Sequence, residues 1–432
     1  MPRRSGCWMP CFWRCRDEDF AMLKRLTIQG FKSLHDVSVD FPRFSVLFGP
    51  NAAGKSNLLD AILALSRLGT QRTLADALAE PIRGYPTEAF AFPHGGLAEL
   101  LSEQEVQFSL EADLTAQKAT YRYRVVVEIQ PGSGKLVTVN EYLSALSKRN
   151  RAKGTPAIEE VDGKLRVRRQ SGGGKPRFEP LRQNYTILSD ARLGGNAYPY
   201  IERVRNELAD WRTYYLDPRL AMRVARPPSD VRDIGVLGEY VAPYLYKLKV
   251  EYPKHFAAIQ RTLRSIIPSI EAIDVDLDKR RGTLDLLVRQ DGTDYSSRIV
   301  SEGTLRVLAL CAIAVNPRGG SLLAFEEPEN GVHPRRLELI AQLLLSLALG
   351  QGRQVVVTTH SPLFCDAVLK QARSKPEEIG LFNVRRVGRA SEIRPFDVAG
   401  PLFQDSEVAA ALTSGTEDGL FESLLLRGWI DE

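Results

Sequence analysis

Gly49-Pro50-Asn51-Ala52-Ala53-Gly54-Lys55-Ser56 has the spacing G-x-x-x-x-G-K-S, and the residues on either side fix its meaning. Residues 43–48 ahead of it form a short apolar run fit for a buried strand, and residues 56–65 behind it carry the 3.6-residue periodicity of a helix. Between a strand and a helix, the glycines let successive backbone N–H groups turn inward around phosphate oxygens, and the positive end of the helix favours the same anion. Lys55 would reach the β- and γ-phosphates and the Ser56 hydroxyl would sit on Mg2+. The reading predicts a nucleoside triphosphate site built from Gly49, Pro50, Asn51, Ala52, Ala53, Gly54, Lys55, Ser56 and the following Asn57.

Three further pieces arrive later, in a fixed order. Residues 300–306 are a turn running into the apolar helix 307–315, residues 322–329 are a buried strand ending in acids, and residues 355–362 are another buried strand ending in a histidine. An acid closing a strand beside the phosphate loop can hold the hydration shell of Mg2+, and a neighbouring carboxylate can orient and deprotonate the attacking water. Glu326 takes the first role and Glu327 the second. His360 could stabilise the γ-phosphate and report its loss. Ser301 and Gly303 open a helix, and a serine-capped helix N-terminus attracts anions.

This set of motifs resembles the ABC-type ATPase heads of the RecF, SMC, Rad50 and OLD group, in which the second piece is the signature loop, the third is Walker B with its catalytic glutamate and the fourth is the switch histidine. Within that group the wording is similar to small prokaryotic ATPases that occur alone or beside an effector protein, many of them in phage-defence or toxin-like cassettes. The resemblance covers residues 22–70 and 285–400. It implies an α/β phosphate-loop ATPase of ABC type, with a mixed core sheet, an antiparallel subdomain and a helical, basic insertion. It implies hydrolysis of ATP with Mg2+, and use of Ser301 and Gly303 on the γ-phosphate held by a second subunit, so that ATP glues a head-to-tail homodimer or a higher homo-oligomer. The family usually has Asp where Glu326 stands; the longer side chain predicts looser metal geometry and slow turnover. His333 resembles a residue of the family's interface loop, although a helix start before Pro334 explains it nearly as well. For the family's glutamine loop, Gln104 and Gln107 are candidates and neither is chosen.

Composition agrees and sets limits. The 432 residues, 44% hydrophobic and 26% charged, describe an ordinary globular protein of two or three subdomains. The longest apolar stretches, 305–315 and 339–349, fall short of a bilayer span, so no membrane helix is expected. A net charge of +5 favours a polyanionic partner only weakly. Cysteine use predicts a cytoplasmic protein, with Cys311 and Cys365 as buried thiols. Cys7, Cys11 and Cys15 fall in a leader, residues 1–21, that matches no packed element and is expected to be disordered, with a metal site as the other reading of their spacing.

The pattern of elements divides the chain into a first ATPase lobe at 22–130, an insertion at 131–290, a second lobe at 291–400 and C-terminal helices at 401–432. Residues 106–114 and 121–129 read as antiparallel strands. Residues 147–192 hold twelve Lys/Arg against five Asp/Glu, a basic hairpin that could lie along a nucleic-acid backbone, with Arg168 and Arg169 the residues to test. Residues 201–208, 236–248 and 254–267 have helical spacing without sustained heptads, so no long coiled-coil arm is expected. Asp274, Asp276 and Asp278 alternate as in a strand with one wet face. Since no nuclease or helicase motif set appears, cleavage of nucleic acid is expected to belong to another protein. The expected function is a switch or sensor in phage defence that controls a nuclease or toxin in trans; the alternative is a repair or chromosome-maintenance clamp resembling RecF.

Overall fold

The computed structural model describes residues 21–170 and 174–398, together with Gly400 and Phe421. The cysteine-containing leader, apart from Ala21, and the helices expected over 401–432, apart from Phe421, lie outside the described residues.

Alternating apolar residues at the start of the chain form a hairpin of β1 (Met22–Phe31) and β2 (Leu34–Asp40), with Leu26, Ile28 and Phe31 buried. Strand β3 (Phe44–Phe48) is buried along its whole length and delivers the chain to the phosphate loop and α1 (Lys55–Leu68). Two short helices, α2 (Leu74–Leu78) and α3 (Leu97–Ser102), occupy the turn-rich stretch that follows. The strands β4 (Val106–Ala116), β5 (Ala119–Gln130), β6 (Lys135–Ala145), β7 (Ile158–Val161), β8 (Lys164–Val167) and β9 (Arg177–Pro180) then add to the hairpin. The result is an eight-stranded antiparallel sheet in the order β2-β1-β4-β5-β6-β7-β8-β9. Residues 135–180 of the expected insertion are thus continuous with the sheet of the first lobe, because Leu143, Ile158, Leu165 and Val167 bury on its apolar face. Arg168 is not a free cation: it donates to Pro156 O at 2.9 Å and pairs with Glu159, which also holds Arg166.

After α4 (Pro199–Ala209), β10 (Arg212–Tyr214) is a strand that the helical reading of this region did not anticipate. Three residues are too few to show a period, and β10 exists because its backbone pairs with a strand more than a hundred positions away. Helices α5 (Val241–Glu251) and α6 (Pro253–Ile266) follow, then an antiparallel sheet of β11 (Ala272–Asp278), β12 (Thr283–Gln290) and β13 (Thr293–Ser296). The second lobe continues with α7 (Glu302–Val315), β14 (Leu322–Glu326), α8 (Leu337–Leu345), β15 (Gln354–Thr359), α9 (Pro362–Ser374), β16 (Ile379–Val387) and β17 (Ala390–Phe396).

The core sheet, β10-β14-β15-β3-β16-β17, is parallel except for its last pair. Its strands alternate between two apolar cores. Phe44, Val46 and Phe48 pack with α5 to α9, while Leu47 packs with α1 and the antiparallel sheet. The buried amide of Gln354 joins the two sheets by accepting from Leu23 N at 2.8 Å and donating to Leu23 O at 2.8 Å. No described helix is long and apolar enough to cross a membrane.

Candidate active site

The central strand of the core sheet places the phosphate loop. Thr359 lies opposite Phe48 in the register of β15 and β3, and Glu326 lies opposite Thr358 in that of β14 and β15, so three strands end side by side. Gly54, which caps α1, has φ +106°, and a Cβ there would come within 2.0 Å of Ser391 Oγ, so this position requires glycine. Lys55 is 4% exposed, and its ammonium donates to Gly49 O at 2.7 Å and Pro50 O at 2.8 Å. Burial lowers the Lys55 pKa against the opposing effect of Glu327, Glu329 and Glu326.

A cavity of about 330 Å³ opens over this lysine, lined by residues 51–57 with Arg83, Glu327 and Arg386. Arg386 donates to Ala52 O at 3.5 Å. Three cationic side chains and a helix N-terminus around one cavity, with a buried ammonium that among the described residues bonds neutral carbonyls, fit a polyphosphate. Among the described residues no group of three or more His, Cys, Asp or Glu side chains could hold a metal alone.

Glu326 and Glu327 diverge at the end of β14. The carboxylate of Glu326 accepts from Arg83 Nη1 at 3.0 Å. Arg83 also bonds Asp60 at 3.0 Å, and the same fully buried aspartate receives Lys32 at 2.5 Å and Tyr215 Oη at 2.7 Å. Glu327 sits at φ +43°, a left-handed conformation rare for a residue with a Cβ. Its N–H donates to Thr358 O at 3.0 Å, and its carbonyl accepts from Arg306 at 3.5 Å. This backbone brings Glu327 Oε1 to 3.1 Å from His360 Nδ1. Glu329 is 4% exposed; one oxygen accepts from Thr359 Oγ1, the other has no partner among the described residues, and burial raises its pKa.

Ser301 caps α7 by accepting from Thr304 N at 3.1 Å. Gly303 packs directly on the loop after Walker B, where a Cβ would meet Gly331 O at 2.2 Å. Neither residue lines the cavity over Lys55. The fold therefore gathers Lys55, Ser56, Asn57 and Glu327 at one cavity, adds His360 through Glu327 and Glu326 through Arg83, and leaves Ser301 and Gly303 outside. His333 accepts from Arg335 N at 3.3 Å, capping a short helical turn, and Gln107 donates to Glu128.

Arg83, Arg386, Arg306, Asp60 and Glu329 were not singled out from the sequence. Only Asp60 left a readable trace there, as a carboxylate amid the apolar run Leu58, Leu59, Ala61 and Ile62 of α1. The others become neighbours of the site through contacts distant in sequence.

A phosphate loop on the central strand β3, a histidine following the adjacent strand β15 and acids closing the next strand β14 define an ABC-type ATPase of the RecF/SMC group. The chain belongs to the family described as "AAA domain, putative AbiEii toxin, Type IV TA system", whose model matches residues 44–366. Among curated proteins it is similar to the DNA replication and repair protein RecF of Lactobacillus acidophilus, with 44% identity over 55 residues, 12% of this chain and 15% of that protein. It is also similar to the chromosome partition protein Smc of Bacillus subtilis, with 36% identity over 93 residues, 21% of this chain and 7% of that protein. The chain thus matches only a small part of the length of either relative. Among solved structures it aligns with the Smc head domain with an extended coiled coil bound to the C-terminal domain of ScpA, derived from Pyrococcus furiosus. That alignment has a TM-score of 0.48 and 12% identity over 91% of this chain and 100% of that one.

Proposed function

We propose that this chain hydrolyses ATP and acts as a switch, two heads closing head to tail on two ATP molecules and reopening when the γ-phosphate leaves. The observation that carries this reading is that Glu327, 3.1 Å from His360 Nδ1, lines the same cavity as Lys55. In this reading the β- and γ-phosphates replace Gly49 O and Pro50 O as partners of the Lys55 ammonium. Glu327 takes the proton of the attacking water, and His360 orients that carboxylate and donates to the γ-phosphate. Ser56 and Glu326 would hold Mg2+, which supplies positive charge against the phosphates and the leaving group. The position of Ser301 and Gly303 outside their own chain's cavity supports their use on the nucleotide of a second head.

We assign the switch to the control of an effector in trans, a nuclease or toxin, in phage defence. The family description, which spans residues 44–366, names a toxin–antitoxin system, whereas the RecF likeness, which would favour a repair clamp, covers 12% of the chain. The test is the solution mass of Glu327→Gln with and without Mg·ATP, with Lys55→Ala as control. ATP-dependent doubling that requires Lys55 supports the cycle, and a mass indifferent to ATP sinks it.

A further inference from the structure

We infer that the turn joining β6 to β7 is a binding surface for the phosphate backbone of double-stranded nucleic acid. Lys148, Arg149, Arg151 and Lys153 are four cations within six residues, and all four are exposed. Among the described residues none of their side chains has an acidic or hydrogen-bonding partner. They contrast with Arg166, Arg168, Arg182 and Arg192 of the same basic stretch, each of which is closed on a carboxylate. Of the twelve Lys and Arg residues in 147–192, Arg166, Arg168, Arg177, Arg182 and Arg192 are paired with carboxylates, and four of the other seven stand together at this turn.

The turn has a defined shape. Ser147 N donates to Arg151 O at 2.8 Å, Asn150 N donates to Ser147 O at 3.0 Å with Asn150 at φ +53°, and Lys153 N donates to Ala145 O at 2.7 Å. Its cations are thus presented on a short, hydrogen-bonded scaffold, which reduces the ordering cost of binding. Arg169 adds a fifth exposed cation at the same end of the sheet, since Arg168 N bonds Ala157 O where β8 pairs with the start of β7.

Composition selects the partner. Residues 147–155 contain only Ser, Lys, Arg, Asn, Ala, Gly and Thr. Protein interfaces build their centres from apolar and aromatic side chains and deplete lysine, and a bilayer surface rewards apolar residues that insert. The stretch has no aromatic side chain and no apolar one larger than that of Ala152. A phosphate backbone asks for positive charge and hydrogen-bond donors alone, and with no aromatic side chain for stacking, the surface suits a duplex more than an unpaired strand. The surface goes beyond the ATPase reading and stands without it.

The test is binding of the full chain, without nucleotide, to a labelled mixed-sequence DNA duplex and to an RNA duplex of the same sequence across a salt series. About four phosphate contacts predict a slope of log K against log salt of about −3.6, with little dependence on sequence. The variant Lys148→Gln, Arg149→Gln, Arg151→Gln, Lys153→Gln should lose about tenfold or more in affinity and most of that slope. Lys254→Gln, Arg261→Gln, Arg264→Gln, which removes exposed cations from α6, should change the slope by less than one contact's share. Thermal melting confirms that the variants remain folded. Equal loss in both variants, unchanged binding in the first, or binding to anionic vesicles in place of either duplex overturns the inference. Because no nucleotide is present, a failed ATPase cycle leaves this result unaffected.

Discussion

Glu327 Oε1 stands 3.1 Å from His360 Nδ1, and it does so from a backbone held at φ +43°. A left-handed conformation costs a residue with a Cβ about 1–2 kcal/mol. Here that cost turns the carboxylate away from its neighbour Glu326, so that two adjacent acids serve different partners. Glu327→Gly should therefore stabilise the fold by about 1 kcal/mol while lowering ATP turnover at least about a hundredfold. Glu327→Gln should lose turnover without that gain. Denaturant titration and steady-state phosphate release on the two variants decide the matter.

Glu326→Asp withdraws the carboxylate by one methylene from Arg83 and brings the usual residue of the family to this position. Steady-state turnover should rise a few-fold, with nucleotide affinity little changed. A fall in rate would mean that reach to Arg83 matters more than metal geometry.

Asp60 is the buried hub of the loop that carries Arg83, receiving Lys32, Arg83 and Tyr215. Removing one partner of a buried ion pair leaves the others uncompensated. Asp60→Ala should destabilise the fold by about 3 kcal/mol, and Arg83→Ala by less because that arginine is 44% exposed. Urea unfolding midpoints at constant m-value measure the difference.

Gln354 is 2% exposed, and its amide satisfies the N–H and C=O of Leu23 across the two sheets. Gln354→Leu keeps similar bulk but leaves a buried donor and acceptor unpaired. The expected loss is about 2–3 kcal/mol, measured in the same way.

Glu141 is fully buried, accepts from Tyr123 Oη, Ile187 N and Leu188 N, and has its pKa raised by burial from 4.5 to about 7. Because the folded-state value lies above the unfolded one, the folded chain holds a proton that the unfolded chain has released between pH 4.5 and about 7. The contribution of Glu141 to stability is therefore greatest below that window and declines as pH rises through it, by about 3 kcal/mol in all. Glu141→Gln should flatten this part of the pH–stability curve, whatever its absolute stability. Denaturant melts from pH 4 to 8 read it directly.

The sequence by itself determined the local parts. Glycine at fixed intervals ahead of Lys55, four apolar residues before Glu326 and a serine three residues before Thr304 each encode their own turn, strand or cap, because those preferences act over a few bonds. The alternation in residues 106–129 and 272–288 likewise announced strands with one buried face. Tertiary structure decided what those parts meet. β10 became a strand only by pairing with β14, and Arg83 reached Asp60 and Glu326 from a turn without a motif. Arg168 was neutralised by Glu159 while Lys148, Arg149, Arg151 and Lys153 were left exposed. The physical reason is that charge and hydrogen-bond partners are settled by distance in space, and the register of a sheet joins residues hundreds of positions apart that no local pattern relates.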